Sequence, residues 1–292
     1  MKIKKTPGET VFNFLNVIFM ILFCCAAIYP FLYLAARSLS SADANFSQIT
    51  IIPQGFSWEN YVRVFKNADI GVGFKNAILR TVVGTTVNVV FSILAAYPLS
   101  KKYYPNRSFW TGIIVFTMFF SGGMIPGYLL VKRLGLLNTM WAMILPGAIN
   151  TYNMIIMRNF FMSLPDALEE AAKIDGAGDF RVLVSIMLPM SKPIIATIAL
   201  WSMVGHWNAW FDCLIYITDP SKQVLQVIMR RIVLEGTSQM LNPNASEFTD
   251  MIVNPENIKA STIIVATLPI VMVYPFLQKY FVKGVLVGSL KG

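Results

Sequence analysis

The sequence predicts an all-α integral membrane protein with six transmembrane helices and one charged cytoplasmic loop. Three observations lead there. Hydrophobic residues make up 55% of the 292 positions and charged residues only 13%, about half the ~25% usual in soluble domains. Six charge-free runs of 19 residues or more occupy 10–36, 81–100, 108–131, 134–157, 193–211 and 260–278, and about 20 helical residues cross a ~30 Å hydrocarbon core. Between the fourth and fifth runs the chain turns abruptly charged, over 162–189.

The first run follows Lys2, Lys4 and Lys5. It is far longer than the h-region of a signal peptide and no small-residue cleavage site follows it, so it is read as a retained helix. Two long outer segments, 37–80 and 212–259, flank the core. In the first, Trp58, Tyr61, Val62 and Phe65 recur at helical spacing, as in an amphipathic helix lying on the membrane surface. Cys24, Cys25 and Cys213 lie in apolar stretches and read as small hydrophobes. The chain divides into 1–73 (amino-terminal segment, first helix, outer loop), 74–283 (permeation core with helices two to six) and a cytoplasmic tail, 284–292.

An even number of spans places both termini on one side. That side would carry 13 basic and 6 acidic residues against 11 and 8 on the other. Its lysines and arginines sit in short loops, where the positive-inside bias operates, so both termini are expected in the cytoplasm of a multi-pass cytoplasmic-membrane protein. The net charge of +9 follows from this topology, and no basic block is dense enough for nucleic acid.

The charged stretch reads as a helix–turn–helix beneath the bilayer. Ser163 is expected to cap it, Pro165 fits the first turn, and Asp166 and Glu169 favour the positive end of the helix dipole. Leu164, Leu168, Ala171 and Ala172 make a narrow apolar face. Gly176, after Asp175, stops the helix. A second helical piece, 179–188, leads to Pro189, and Pro193 opens the fifth span.

Glu170-Ala171-Ala172, three residues, Gly176, nine residues, Ile186, one residue and Leu188-Pro189 match the EAA loop of ATP-binding-cassette (ABC) importer permeases without a gap. The run from Arg158 to Gly178, "RNFFMSLPDALEEAAKIDGAG", resembles the sugar permeases of the maltose type. The ending "YFVKGVLVGSLKG" resembles that of the permease forming the second half of the maltose pore. The resemblance implies a subunit of a binding-protein-dependent ABC importer that takes up a sugar or oligosaccharide. Its helix over 165–176 would be the coupling helix, with Glu170, Ala171, Ala172, Asp175, Gly176, Leu188 and Pro189 at the joint to an ATPase. The implied partners are an ABC ATPase dimer, a second permease in a heterodimer, an extracytoplasmic substrate-binding protein and membrane lipid. ATP and Mg would be held by the ATPase and no cofactor by this chain, since a phosphate-binding loop needs Gly-Lys-Ser/Thr and Gly-Lys is absent from the sequence.

No catalytic constellation or metal-ligand cluster stands out in the sequence. The one histidine, His206, excludes HExxH chemistry, so a transport subunit rather than an enzyme is expected. Polar groups inside spans usually face the bundle interior or a wet cavity. Asn88, Asn150, Asn153, Trp201, His206, Trp207 and Asn208 are the candidates for a substrate path. Amides bond hydroxyl groups, and aromatic faces cover the C–H faces of a pyranose. Two alternatives remain at this point: an ABC importer of a peptide or amino acid, and a secondary transporter, which would carry buried ionisable groups near the midplane.

Overall fold

The computed structural model describes residues 6–44, 51–235 and 254–289. In chain order the helices are α1 (Pro7–Ser38), α2 (Glu59–Lys66), α3 (Ala68–Ser100), α4 (Arg107–Phe119), α5 (Met124–Arg133), α6 (Met140–Ile144), α7 (Thr151–Met162), α8 (Asp166–Ile174), α9 (Asp179–Met190), α10 (Lys192–Asn208), α11 (Phe211–Tyr216), α12 (Leu225–Glu235) and α13 (Pro255–Ser289). They pack as two compact units. One comprises residues up to Ala68 and Met229–Thr267; the other comprises Asp69–Ile228 and the chain from Leu268 onward.

In the first unit α1 opens with a capping box. The Thr6 hydroxyl accepts from Glu9 N–H, the Glu9 carboxylate accepts from Thr6 N–H, and Pro7 occupies the first helical turn. Its opposite end meets α2 and the start of α13. Carbonyls that a helix end leaves without partners are taken here by side chains. Asn60 donates to the Ser38 and Ser40 carbonyls at 3.1 and 2.8 Å, and Ser261 donates to Ser38 O at 3.2 Å. The amphipathic reading of α2 holds in position and polarity. Val64 and Asn60 are buried, Tyr61 is half-buried with its hydroxyl 2.7 Å from Ser38 Oγ, and Trp58, Val62 and Phe65 stay exposed as an outward apolar face.

In the second unit an inner core gathers the end of α3 (Ala96, Tyr97, Leu99), α7 (Met154, Met157, Phe161), α9 (Val182, Leu183, Met187) and Ile198 of α10. This cluster carries the charged loop.

Among the described residues three helices are long and apolar enough to cross a membrane: α1, α3 and Glu256–Val273 within α13. The count rises to five if α4 with α5, bent by 111°, and α9 with α10, bent by 81°, each make one crossing. The run 108–131 is therefore not one straight helix. Gly123, at φ 87, turns the chain where a side chain would strain it. The run 134–157 is not a helix either. Gly135 and Asn138 take left-handed conformations, Pro146 sits in a 3₁₀ turn over Leu145–Gly147, and α7 begins only after the Asn150 cap. An absence of charge measures composition; it does not register where the backbone turns. At the carboxyl end α13 runs to Ser289, so 284–289 of the expected tail are helical. Lys2, Lys4, Lys5 and residues 290–292 lie outside the described residues.

Candidate functional site

The charged loop is built on the end of α3. Lys101 pairs with Glu169, both side chains largely buried, and its ammonium lies 4.4 Å above the Tyr97 ring. Lys102 lies 2.7 Å from Asp166. That contact holds the Asp166 carboxyl below the usual carboxylate range and Lys102 above the usual lysine range. Both groups are in water, where such a pair contributes little. Lys173 joins α8 to α9 through Asp179 at 3.0 Å, and the Tyr103 hydroxyl donates to the same carboxylate at 2.9 Å. The Lys173 bond, then the Tyr103 bond, hold Asp179 below its ordinary range.

Two backbone bonds end α8. Ala177 N–H donates to Ala172 O at 2.9 Å and Gly176 N–H to Lys173 O at 3.0 Å, with Gly176 at φ 78. This is a Schellman motif, and its usual apolar contact is present, since Ala172 and Ala177 both pack against the inner core. Ser163 does not start α8: its hydroxyl donates back to Phe160 O at 2.7 Å, closing α7, and Pro165 stands at the cap position. Of the predicted joint residues, Ala172 and Leu188 pack against the core. Glu170, Ala171, Asp175, Gly176 and Pro189 are exposed. Beside them Ile174 is 87% and Phe180 72% exposed. Two large apolar side chains held out from an anchored loop mark a surface made to be covered.

A second polar group lies along α3 and α10. The Asn88 amide donates to Gly147 O at 2.7 Å and Ala148 O at 3.0 Å, the carbonyls exposed by the turn at Pro146. Its oxygen then faces His206 Nε2 at 2.8 Å. Two carbonyls fix the amide orientation, so Nε2 is the donor. Irregular backbone at membrane depth needs internal partners, and Asn88 supplies them. Gly84 admits the imidazole, because a Cβ there would lie 2.5 Å from His206 Nε2. Gly84→Ala is expected to lose about 1–3 kcal/mol of stability by overpacking, read as a lower melting temperature in detergent. A variant melting with the parent would refute that contact. Farther along α3, Arg80 pairs with Asp212 and donates to Ala209 O at 3.0 Å, with 2% of its side chain exposed.

The model of the family described as "Binding-protein-dependent transport system inner membrane component" matches residues 5–287. The chain belongs to that family. It is a multi-pass component of the cytoplasmic membrane and a transport subunit, not an enzyme. The permease is 44% identical to Protein LplC of Bacillus subtilis (strain 168) over 98% of its length and 97% of that protein's. It is 41% identical to the polygalacturonan/rhamnogalacturonan transport system permease protein YtcP of the same strain, over 97% and 99%. Among solved structures it is similar to a chain of a bacterial ABC transporter involved in the import of the acidic polysaccharide alginate, with TM-score 0.90 and 30% identity, covering 96% of this chain and all of that one. The family read from the charged loop is borne out.

Within the permease, the seven path candidates separate into two groups. Asn88 and His206 are bonded to each other and to backbone. Trp207, 6% exposed, packs edge-on against Phe74 at 5.8 Å. Asn153 is 7% exposed, behind the Asn150 cap. Asn150, Trp201 and Asn208 are exposed. The reading of the sequence left out the Arg80 pair; Tyr152, on the polar stripe of the fourth run, has its ring 6.2 Å from that of Trp201. An arginine at the edge of a charge-free run carries no sign of its partner 132 residues away.

Proposed function

We infer that this permease forms one half of the pore of an ATP-driven importer of oligosaccharides, with uronate-bearing chains the leading class. The relative at 41% identity is named for polygalacturonan and rhamnogalacturonan, and the similar solved chain comes from an alginate importer; polygalacturonan and alginate are acidic polymers. The chain makes six crossings with both termini in the cytoplasm. The bent pair α4/α5 crosses once, α10 crosses once with α9 lying in the cytoplasmic loop, and the broken stretch through α6 and α7 supplies the sixth. Its partners are a second permease, an ATPase dimer that holds ATP and Mg, and an extracytoplasmic binding protein that delivers the saccharide.

The observation that carries this reading is α8, anchored by Lys101 and Lys173, with Ile174 projecting from its end and Phe180 from the start of α9. Anchorage lets a push on the loop move α3, α7 and α9 as one packed body, as hinge and shear motions require. The exposed apolar pair fits a cleft on the separate ATPase. A cysteine placed at Ile174 is expected to cross-link to the ATPase subunit in native membranes, and ATP to change the yield. Absence of any ATPase adduct, together with uptake indifferent to ATP, would overturn the reading.

A further inference from the structure

Helix α10 is covered on more than one side and open along one line. Ile198, Leu200, Ser202 and Trp207 are buried. Trp201, Gly205 and Asn208, spaced i, i+4 and i+7, are exposed on one line. A helix side turned to lipid is normally aliphatic, because lipid gives an amide no hydrogen-bond partner. Here the line holds an indole, a glycine and a carboxamide. The Asn208 side chain has no hydrogen-bond partner among the described residues. The neighbouring α7 sets Tyr152, 52% exposed, beside Trp201, 38% exposed, with ring centroids 6.2 Å apart and planes 32° from parallel.

We propose that the tilted Tyr152–Trp201 pair, continued by Gly205 and Asn208 along α10, is a saccharide-contacting surface of this subunit. The inference rests on the importer reading above and assigns the residues that the passing chain touches. Two neighbouring rings tilted by 32° offer a wide aromatic face for the C–H side of a pyranose. Gly205 keeps the helix surface low next to it, and the Asn208 amide can both donate to and accept from sugar hydroxyls. A face made only to pack against another helix would favour small residues allowing close approach; an exposed indole and phenol side by side do the opposite.

The test uses the complete importer in proteoliposomes, with trigalacturonate, an alginate trimer, maltotriose and raffinose as probes. With the probe that the parent carries, Trp201→Leu and Tyr152→Leu are each expected to cut uptake about five- to tenfold. Trp201→Phe should restore most of it, because a ring face remains. Co-purification of the second permease, and ATPase stimulation by the loaded binding protein, should stay at parent levels. Loss of the second permease from the Trp201→Leu complex would make the surface a subunit interface and overturn the proposal. Unchanged uptake in both leucine variants would place it against lipid and overturn it equally. A parent complex that carries none of the four probes would refute the saccharide reading itself, and the contact surface with it.

Discussion

Asp212→Ala should destabilise the permease by about 3–5 kcal/mol, because it leaves the Arg80 guanidinium charged and buried with no counter-ion. Arg80 is 2% exposed, and it also donates to Ala209 O. The pair therefore ties α3 to the break between α10 and α11, where the backbone leaves the helix. Replacing both partners by apolar residues, Arg80→Met with Asp212→Leu, removes the buried charges together. That double variant is expected to recover to within about 1–3 kcal/mol of the parent, the remainder being the Ala209 carbonyl left without a donor. Thermal unfolding of the purified complex in one detergent reads all three proteins on one scale. If Asp212→Ala melts within about 1 kcal/mol of the parent, the carboxylate is not the counter-ion that the geometry makes it.

What was legible in the sequence follows how local each signal is. α1, α3 and α13 were visible as charge-free runs, because a spanning helix satisfies its backbone within itself and needs only apolar side chains. Over 134–157 the same ruler marked a charge-free run but not the breaks within it. Gly135, Pro146 and Gly147 were in plain view there, but their effect depends on Asn88, 59 residues upstream, accepting the task of bonding the freed Gly147 carbonyl. The charged loop was legible almost residue by residue, since its end is closed by bonds within six residues, Gly176 to Lys173 and Ala177 to Ala172. Its start was misplaced by two positions, because Ser163 had an equally local alternative in the Phe160 carbonyl. The path candidates were chosen by residue type, and type does not say which side of a helix is covered. Asn88 and His206 are 118 residues apart, so nothing within either neighbourhood marks them as partners rather than as groups facing a solute.

Glu169→Lys should uncouple transport from ATP hydrolysis. Lys101 and Glu169 are 8% and 15% exposed, and breaking a pair so placed costs about 3–5 kcal/mol. That is a factor of 10² or more in the ratio of seated to unseated α8. The helix itself should survive, since its Schellman end and the Lys173–Asp179 contact are untouched. What is lost is the connection between α8 and the end of α3, so a displaced loop would no longer carry the second span with it. Uptake in proteoliposomes is expected to fall at least tenfold while ATP hydrolysis continues. The exchanged pair, Lys101→Glu with Glu169→Lys, restores the attraction across the same contact and should return most of the uptake. Lys102→Glu supplies the internal control. It reverses a charge one residue away, but against Asp166 in full solvent, where an ion pair contributes little, so uptake should stay within about twofold of the parent. Equal losses in Glu169→Lys and Lys102→Glu would mean that the loop responds to overall charge. Full activity in Glu169→Lys would mean that α8 moves the pore through the inner core alone, with the Lys101 anchor idle.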